Sequence, residues 1–225
     1  MNSPAIVMAV ILLLPVPILT SGQQQTVETN DTAAKILSRE VRWINPQSDD
    51  VFSALTMDLA ASHLPGGILS MRKCGMVQPK FIPAESSTLQ KELNRMVKII
   101  PDYQWSFDDG VLNFSPRFYT PSPLDISLGE FKAHNSTIPE AYYQLFNSQD
   151  VKNGFAALGL HEPSLQLLFG SGDSVEDHRR VDLDLRNTTL QKALNAIVRA
   201  DGSKTWILSV YSCNGENTYQ SILAN

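Results

Sequence analysis

The chain has 225 residues, a hydrophobic content of 43% and a formal net charge of −5, from 23 acidic and 18 basic residues. That hydrophobic share is ordinary for a globular protein and does not suit a wholly disordered chain. No basic cluster is longer than Arg179-Arg180, so nucleic acid is excluded as a natural partner: phosphate binding needs concentrated Lys and Arg. The negative balance likewise disfavours an anionic membrane surface.

The N-terminus opens with an apolar run from Ala5 to Leu19, broken only by Pro15 and Pro17. It is shorter than the roughly 20 residues a helix needs to cross a bilayer, and its length suits the core of a secretory signal. Thr20 and Gly22 supply small residues for cleavage after Gly22, which predicts a signal peptide over residues 1–22. No Lys or Arg precedes the run, and the competing reading is a buried N-terminal helix or an uncleaved anchor. The signal predicts export to a periplasmic or extracellular location, with no membrane span after cleavage. Residues 23–39 begin with a polar stretch, QQQTVETNDTAA, and are expected to form a disordered lead-in.

A first folded unit is expected over residues 40–116. It starts with a strand around Glu40–Ile44. Ser48-Asp49-Asp50-Val51 reads as a capped helix start, and Val51, Leu55 and Leu59 form one apolar stripe. The helix exits at His63-Leu64-Pro65, and an apolar strand follows around Ile68–Met71. Ile82 and Ala84 suggest a weaker strand, with Pro79 and Pro83 marking an edge position. Leu89, Leu93, Met96, Val97 and Ile100 give a second amphipathic helix, with Ser87 and Gln90 as its capping box and Pro101 as its stop. Tyr103, Trp105 and Phe107 then alternate with polar residues. Asp109-Gly110 turns the chain into Val111–Phe114, a strong hairpin signal.

Residues 117–123 are rich in Pro and Ser and read as a short connector. Beyond them, residues 124–225 repeat the same order. A strand is expected at Leu124–Lys132, and an extra helix at Pro139-Glu140-Ala141-Tyr142-Tyr143 with Thr137 as its cap. Ser148-Gln149-Asp150-Val151 matches Ser48-Asp49-Asp50-Val51, with Val151, Phe155 and Leu158 as the stripe. His161-Glu162-Pro163 matches the earlier His-x-Pro, and a strand is expected at Leu165–Phe169. Val181, Leu183 and Leu185 alternate with Asp182 and Asp184, a half-buried strand. Residues 189–195 read TLQKALN where residues 88–94 read TLQKELN, and Thr188 with Gln191 is the expected capping box. The helix stops near Gly202, and Thr205–Tyr211, Asn214-Gly215 and Thr218–Leu223 form the second hairpin.

The predicted class is α+β: two tandem similar units, each a small mixed β-sheet with two helices packed on one face. The order of elements, above all DLDLRNTTLQKALNAIV followed by an aromatic strand, resembles the short N-terminal domain of secretins and TonB-dependent receptors. The resemblance covers residues 45–116 and 124–223, and it implies partner contacts in the periplasm.

Candidate chemistry is sparse. His161-Glu162 lacks the second His of a helical zinc motif, position 165 being Leu. Asp173, Glu176, Asp177 and His178 lack calcium-loop spacing. Gly170-Ser171-Gly172-Asp173 has no Lys after it for phosphate binding, and Ser171 has no strand-to-helix elbow. Asp182 and Asp184 share a strand face at a spacing compatible with a glycosidase pair, but Phe81 and Pro83 stand there in the first unit. No catalytic, cofactor or metal residue is therefore assigned. Four sequons occur, at Asn30, Asn113, Asn135 and Asn187.

Two pairs stand out. Cys74 and Cys213 are either a disulfide stapling the two units or two separate thiols. Trp105 and Trp206 are either core residues or, where exposed, binding anchors. These features predict an exported, non-enzymatic interaction module. Its partner is expected to be another envelope protein, engaged by strand addition. The alternative is a secreted hydrolase with a site between the units built from His161, Glu162 or Asp173.

Overall fold

A computed structural model describes residues 33–41, 50–75, 87–162 and 179–224. In chain order its strands are β1 (Glu40–Val41), β2 (Gly66–Lys73), β3 (Ser87–Thr88), β4 (Tyr103–Asp108), β5 (Val111–Pro116), β6 (Ser127–Thr137), β7 (Leu160–His161), β8 (Arg180–Thr189), β9 (Thr205–Cys213) and β10 (Glu216–Ala224). The helices are α1 (Val51–Ala61), α2 (Leu89–Ile99), α3 (Ile138–Asn147), α4 (Gln149–Ala157) and α5 (Leu190–Asp201). A helical stretch also covers residues 33–37, and Ile36 and Leu37 pack against the first core. The last residues of the expected disordered lead-in therefore belong to the fold.

The class is α+β. Strands that were expected in two separate sheets instead run together into one six-stranded sheet, ordered β4-β5-β2-β9-β10-β7. Each half contributes a hairpin and one upstream strand. β4 pairs antiparallel with β5, and β2 pairs parallel with β5. β9 pairs antiparallel with β10, and β7 pairs parallel with β10. The halves join where β2 runs parallel to β9, from Gly66 opposite Thr205 to Lys73 opposite Ser212. Two small antiparallel ladders, β1–β3 and β6–β8, lead into α2 and α5.

The helices of the two halves cover opposite faces of this sheet. Neighbouring strand residues point to opposite faces. Ile68, Leu112 and Phe114 join Leu55, Leu89, Leu93 and Met96 from α1 and α2. Leu69, Val111, Trp206 and Leu208 join Tyr142, Phe155, Leu190 and Ile197 from α3, α4 and α5. The result is two cores divided by one sheet. Sheet formation between the halves is thus what buries both apolar faces.

Ser148 caps α4 as expected, whereas three helix starts differ from the expected caps by one residue or more. Thr88 and Thr189, not Ser87 and Thr188, accept the N–H groups of Lys91 and Lys192. Asp50 caps α1, accepting from Ser53 at 2.8 Å, and Ser48 lies outside the described residues. In both main helices the strand runs on to the cap, so the last strand residue is the N-cap. Thr137 caps α3 in a complete capping box with Glu140, and Gly202 ends α5 at φ 89°. The strand expected at Leu165–Phe169 and the one at Ile82 and Ala84 lie outside the described residues.

Candidate functional site

The two repeat-matched tryptophans, Trp105 and Trp206, make the same hydrogen bond in different surroundings. Trp206 Nε1 donates to Asn195 Oδ1 at 2.9 Å, and Trp105 Nε1 donates to Asn94 Oδ1 at 3.1 Å. Each asparagine is the last residue of a TLQK-type match and lies on the helix covering its own tryptophan. Trp206 is fully buried, whereas Trp105 is half-buried. The difference follows from strand order. β9 is internal, flanked by β2 and β10; β4 is at the margin and, among the described residues, pairs with β5 alone.

The backbone of β4 is oriented for a further strand. Asp109 and Gly110 both have positive φ, 50° and 80°, and close the two-residue hairpin at Asp108 and Val111. Hydrogen-bonded and non-hydrogen-bonded pairs then alternate, which puts Trp105 and Phe107 in the non-hydrogen-bonded class. Their N–H and C=O groups point away from β5, toward the edge that no strand covers among the described residues. Tyr103 is already engaged there: its N–H donates to the Ile100 carbonyl, and its own carbonyl accepts from Arg117 Nε at 2.8 Å. Its hydroxyl accepts from the Met71 N–H at 2.8 Å, and burial pushes its pKa up to about 12.

The β2–β9 junction is closely fitted. A Cβ on Gly67 would fall 2.1 Å from Cε2 and Cζ2 of Trp206, so the indole occupies the place of a side chain at position 67. A Cβ on Gly66 would fall 2.6 Å from Leu59 Cδ1. The hydroxyls of Ser70 and Ser209, paired across the junction, are 2.8 Å apart and buried. Cys74 and Cys213 form a disulfide at its far end, with Cα atoms 5.0 Å apart.

A second buried polar feature lies in the first half. Asp58 on α1 and Glu92 on α2 are both buried, at 3% and 0% exposure. Glu92 accepts two hydrogen bonds from Arg95 Nη1, at 3.0 and 2.8 Å. Asp58 Oδ2 has no hydrogen-bond partner among the described residues. Burial, and then the charge of Glu92, raise the Asp58 pKa to about 6. Matched from Val51 and Val151, and from Leu89 and Leu190, the corresponding residues of the second half are Leu158 and Ala193. The acids are thus peculiar to the first half.

The remaining sequence candidates are dispersed. His161 is exposed on β7, Glu162 follows it, and Asp173 and His178 lie outside the described residues. Asp182 accepts from the Asn135 N–H at 2.9 Å and pairs with His134 Nδ1 at 2.6 Å. The backbone hydrogen bond from Asn135, and then the nearby His134, hold the Asp182 carboxyl below its usual pKa; a general acid requires the opposite shift. Asp184 is held by Arg186 Nε at 3.4 Å. Among the described residues no three His, Cys, Asp or Glu side chains are placed to hold a metal ion, and no helix is long and apolar enough to cross a membrane. Of the sequons, Asn113 is buried in β5 and donates to the Val111 carbonyl, whereas Asn135 and Asn187 are exposed; Asn30 lies outside the described residues.

No family model, no curated protein and no solved structure matches this chain.

Proposed function

We propose that the protein is an exported, non-enzymatic interaction module that engages a protein partner by strand addition at β4. The observation that carries this reading is the half-buried Trp105 on a marginal strand whose Trp105 and Phe107 backbone groups face outward. Main-chain hydrogen bonds at a sheet edge supply affinity, and an aromatic anchor supplies contact area. The apolar N-terminal run and the Cys74–Cys213 bond favour an oxidising, exported setting. The partner fits the description of another envelope protein, in keeping with the resemblance to secretin and TonB-receptor N-terminal domains.

The test is a crosslinked pull-down with the full chain from the native envelope fraction, followed by mapping of the crosslinked peptides. The expected result is a protein partner crosslinked near residues 103–108. Recovery of no partner, with and without crosslinker, would overturn the proposal.

A further inference from the structure

We infer that the β4 edge selects a strand running parallel to β4 with glycine opposite Trp105, and that the partner presents a Gly-x-aliphatic segment there. The inference rests on the strand-addition reading above and specifies its ligand. Its template is the β2–β9 junction inside the same molecule. There β2 runs parallel to β9, Gly67 lies opposite Trp206, and the Gly66 N–H donates to the Lys204 carbonyl at 3.1 Å.

Three correspondences connect that junction to β4. First, Trp105 and Trp206 each follow by the same interval the asparagine that holds the indole, so both rings take their direction from the covering helix. Second, Trp206 directs its ring over the adjacent strand, onto the place a Cβ of residue 67 would fill. A ring held in the same way at Trp105 overhangs the space beyond β4, consistent with its half-buried state. Third, both hairpins close on a two-residue turn with two positive φ values, at Asp109-Gly110 and Asn214-Gly215. The pairing pattern therefore points the backbone of Trp105 outward as it does that of Trp206.

The chemistry of the ligand follows. A side chain larger than hydrogen opposite Trp105 would collide with the indole, so glycine is required at that register. An aliphatic residue two positions after the glycine, where β2 has Leu69, would cover the half-buried Phe107 as Leu69 meets Leu208. Arg117, bonded to the Tyr103 carbonyl, limits the open edge to the backbone groups of Trp105 and Phe107. Four main-chain hydrogen bonds are then available to the ligand.

The chain carries its own probe: a capped synthetic peptide of residues 64–73, LPGGILSMRK. It is titrated against the full-length protein by calorimetry. One-to-one binding is expected. Trp105→Ala should weaken it at least tenfold, as should Gly67→Val within the peptide. N-methylation of the peptide's Ile68, which removes a donor to the Trp105 carbonyl, should do the same and leaves the protein unaltered. A photoreactive group at the peptide N-terminus should label residues near Tyr103 rather than Asp108, which reports the parallel direction. Absence of binding, binding indifferent to the peptide changes, or labelling at the Asp108 end would overturn the inference. If a pull-down partner crosslinks at β4 while this peptide does not bind, the strand-addition reading stands and the glycine selectivity falls.

Discussion

Asn195 Oδ1 accepts the indole N–H of Trp206 at 2.9 Å, and both side chains are buried. The bond ties α5 to β9 at the middle of the second core, and it fixes the ring that lies over Gly67. The matching bond between Asn94 and Trp105 ties α2 to a marginal strand, at an exposed site.

Removing the two asparagines should therefore have unequal consequences. Asn195→Ala leaves a buried indole donor without a partner, at a cost of about 1–3 kcal/mol. Asn94→Ala leaves a donor that water can reach and should cost no more than about 0.5 kcal/mol. Urea unfolding of the two variants measures the contrast. Equal losses would show that the burial difference between the tryptophans has no energetic weight.

Gly67→Ala should be among the most damaging single-methyl additions in the chain. The added carbon meets ring atoms at 2.1 Å, and the ring is held by Asn195. Overpacking of this kind costs about 1–3 kcal/mol, and the upper end is expected because an aromatic ring must move. Gly129→Ala is the control: its nearest neighbour would be Asp150 Oδ2 at 3.7 Å, an ordinary contact. Thermal unfolding of both variants decides the point, and a Gly67→Ala protein as stable as the control would refute the fit described at the junction.

The disulfide closes a separation of 139 residues between strands that already lie side by side. Its main effect is then on the unfolded chain, where a loop of that length corresponds to about 5 kcal/mol in the chain-entropy model. Replacing Cys74 and Cys213 together by Ser should lower the unfolding free energy by several kcal/mol on that model while the near-UV circular dichroism of the folded state persists. Loss of the folded signal in non-denaturing buffer would mean that the bond is required for the β2–β9 pairing itself.

Asp58 should make the protein more stable in acid. Its folded pKa, about 6, lies above the ordinary value of 3.8. The folded state therefore binds the proton more tightly. The resulting stabilisation is complete below about pH 4 and is lost as pH rises through 6. Two pH units correspond to at most about 3 kcal/mol. Asp58→Asn removes this dependence. The stability difference between wild type and variant should therefore shift toward the variant between pH 4 and pH 7.5. A difference that stays constant across that range would contradict the burial of this carboxyl beside Glu92.

Local structure was largely legible in the chain. The TLQK matches, the Asp-Gly and Asn-Gly turns and the aromatic alternation each act within a few residues, and they mark α2, α5 and both hairpins at close to their observed bounds. The caps were misplaced by one residue because Ser87-Thr88 and Thr188-Thr189 each offer two hydroxyls, and only the strand leading into the helix decides which one faces the first turn. The buried acids had a signal that helical spacing could have exposed. Asp58 lies seven residues after Val51, and Glu92 three after Leu89, both on the inward stripe. The asparagine partners were also visible, as the shared last residue of the two matched segments, but nothing local tells which indole they hold.

The sequence by itself determined the α+β class, the order of elements and the duplication of the TLQK segment, because capping, helical periodicity and tight turns act over short stretches of chain. Only the tertiary structure decided that the two halves share one sheet, that their helices cover opposite faces and that Trp206 is sealed while Trp105 stays at an edge. That choice depends on Gly67 admitting an indole from a strand more than a hundred residues away. Such a fit between distant backbones has no signature in local patterning.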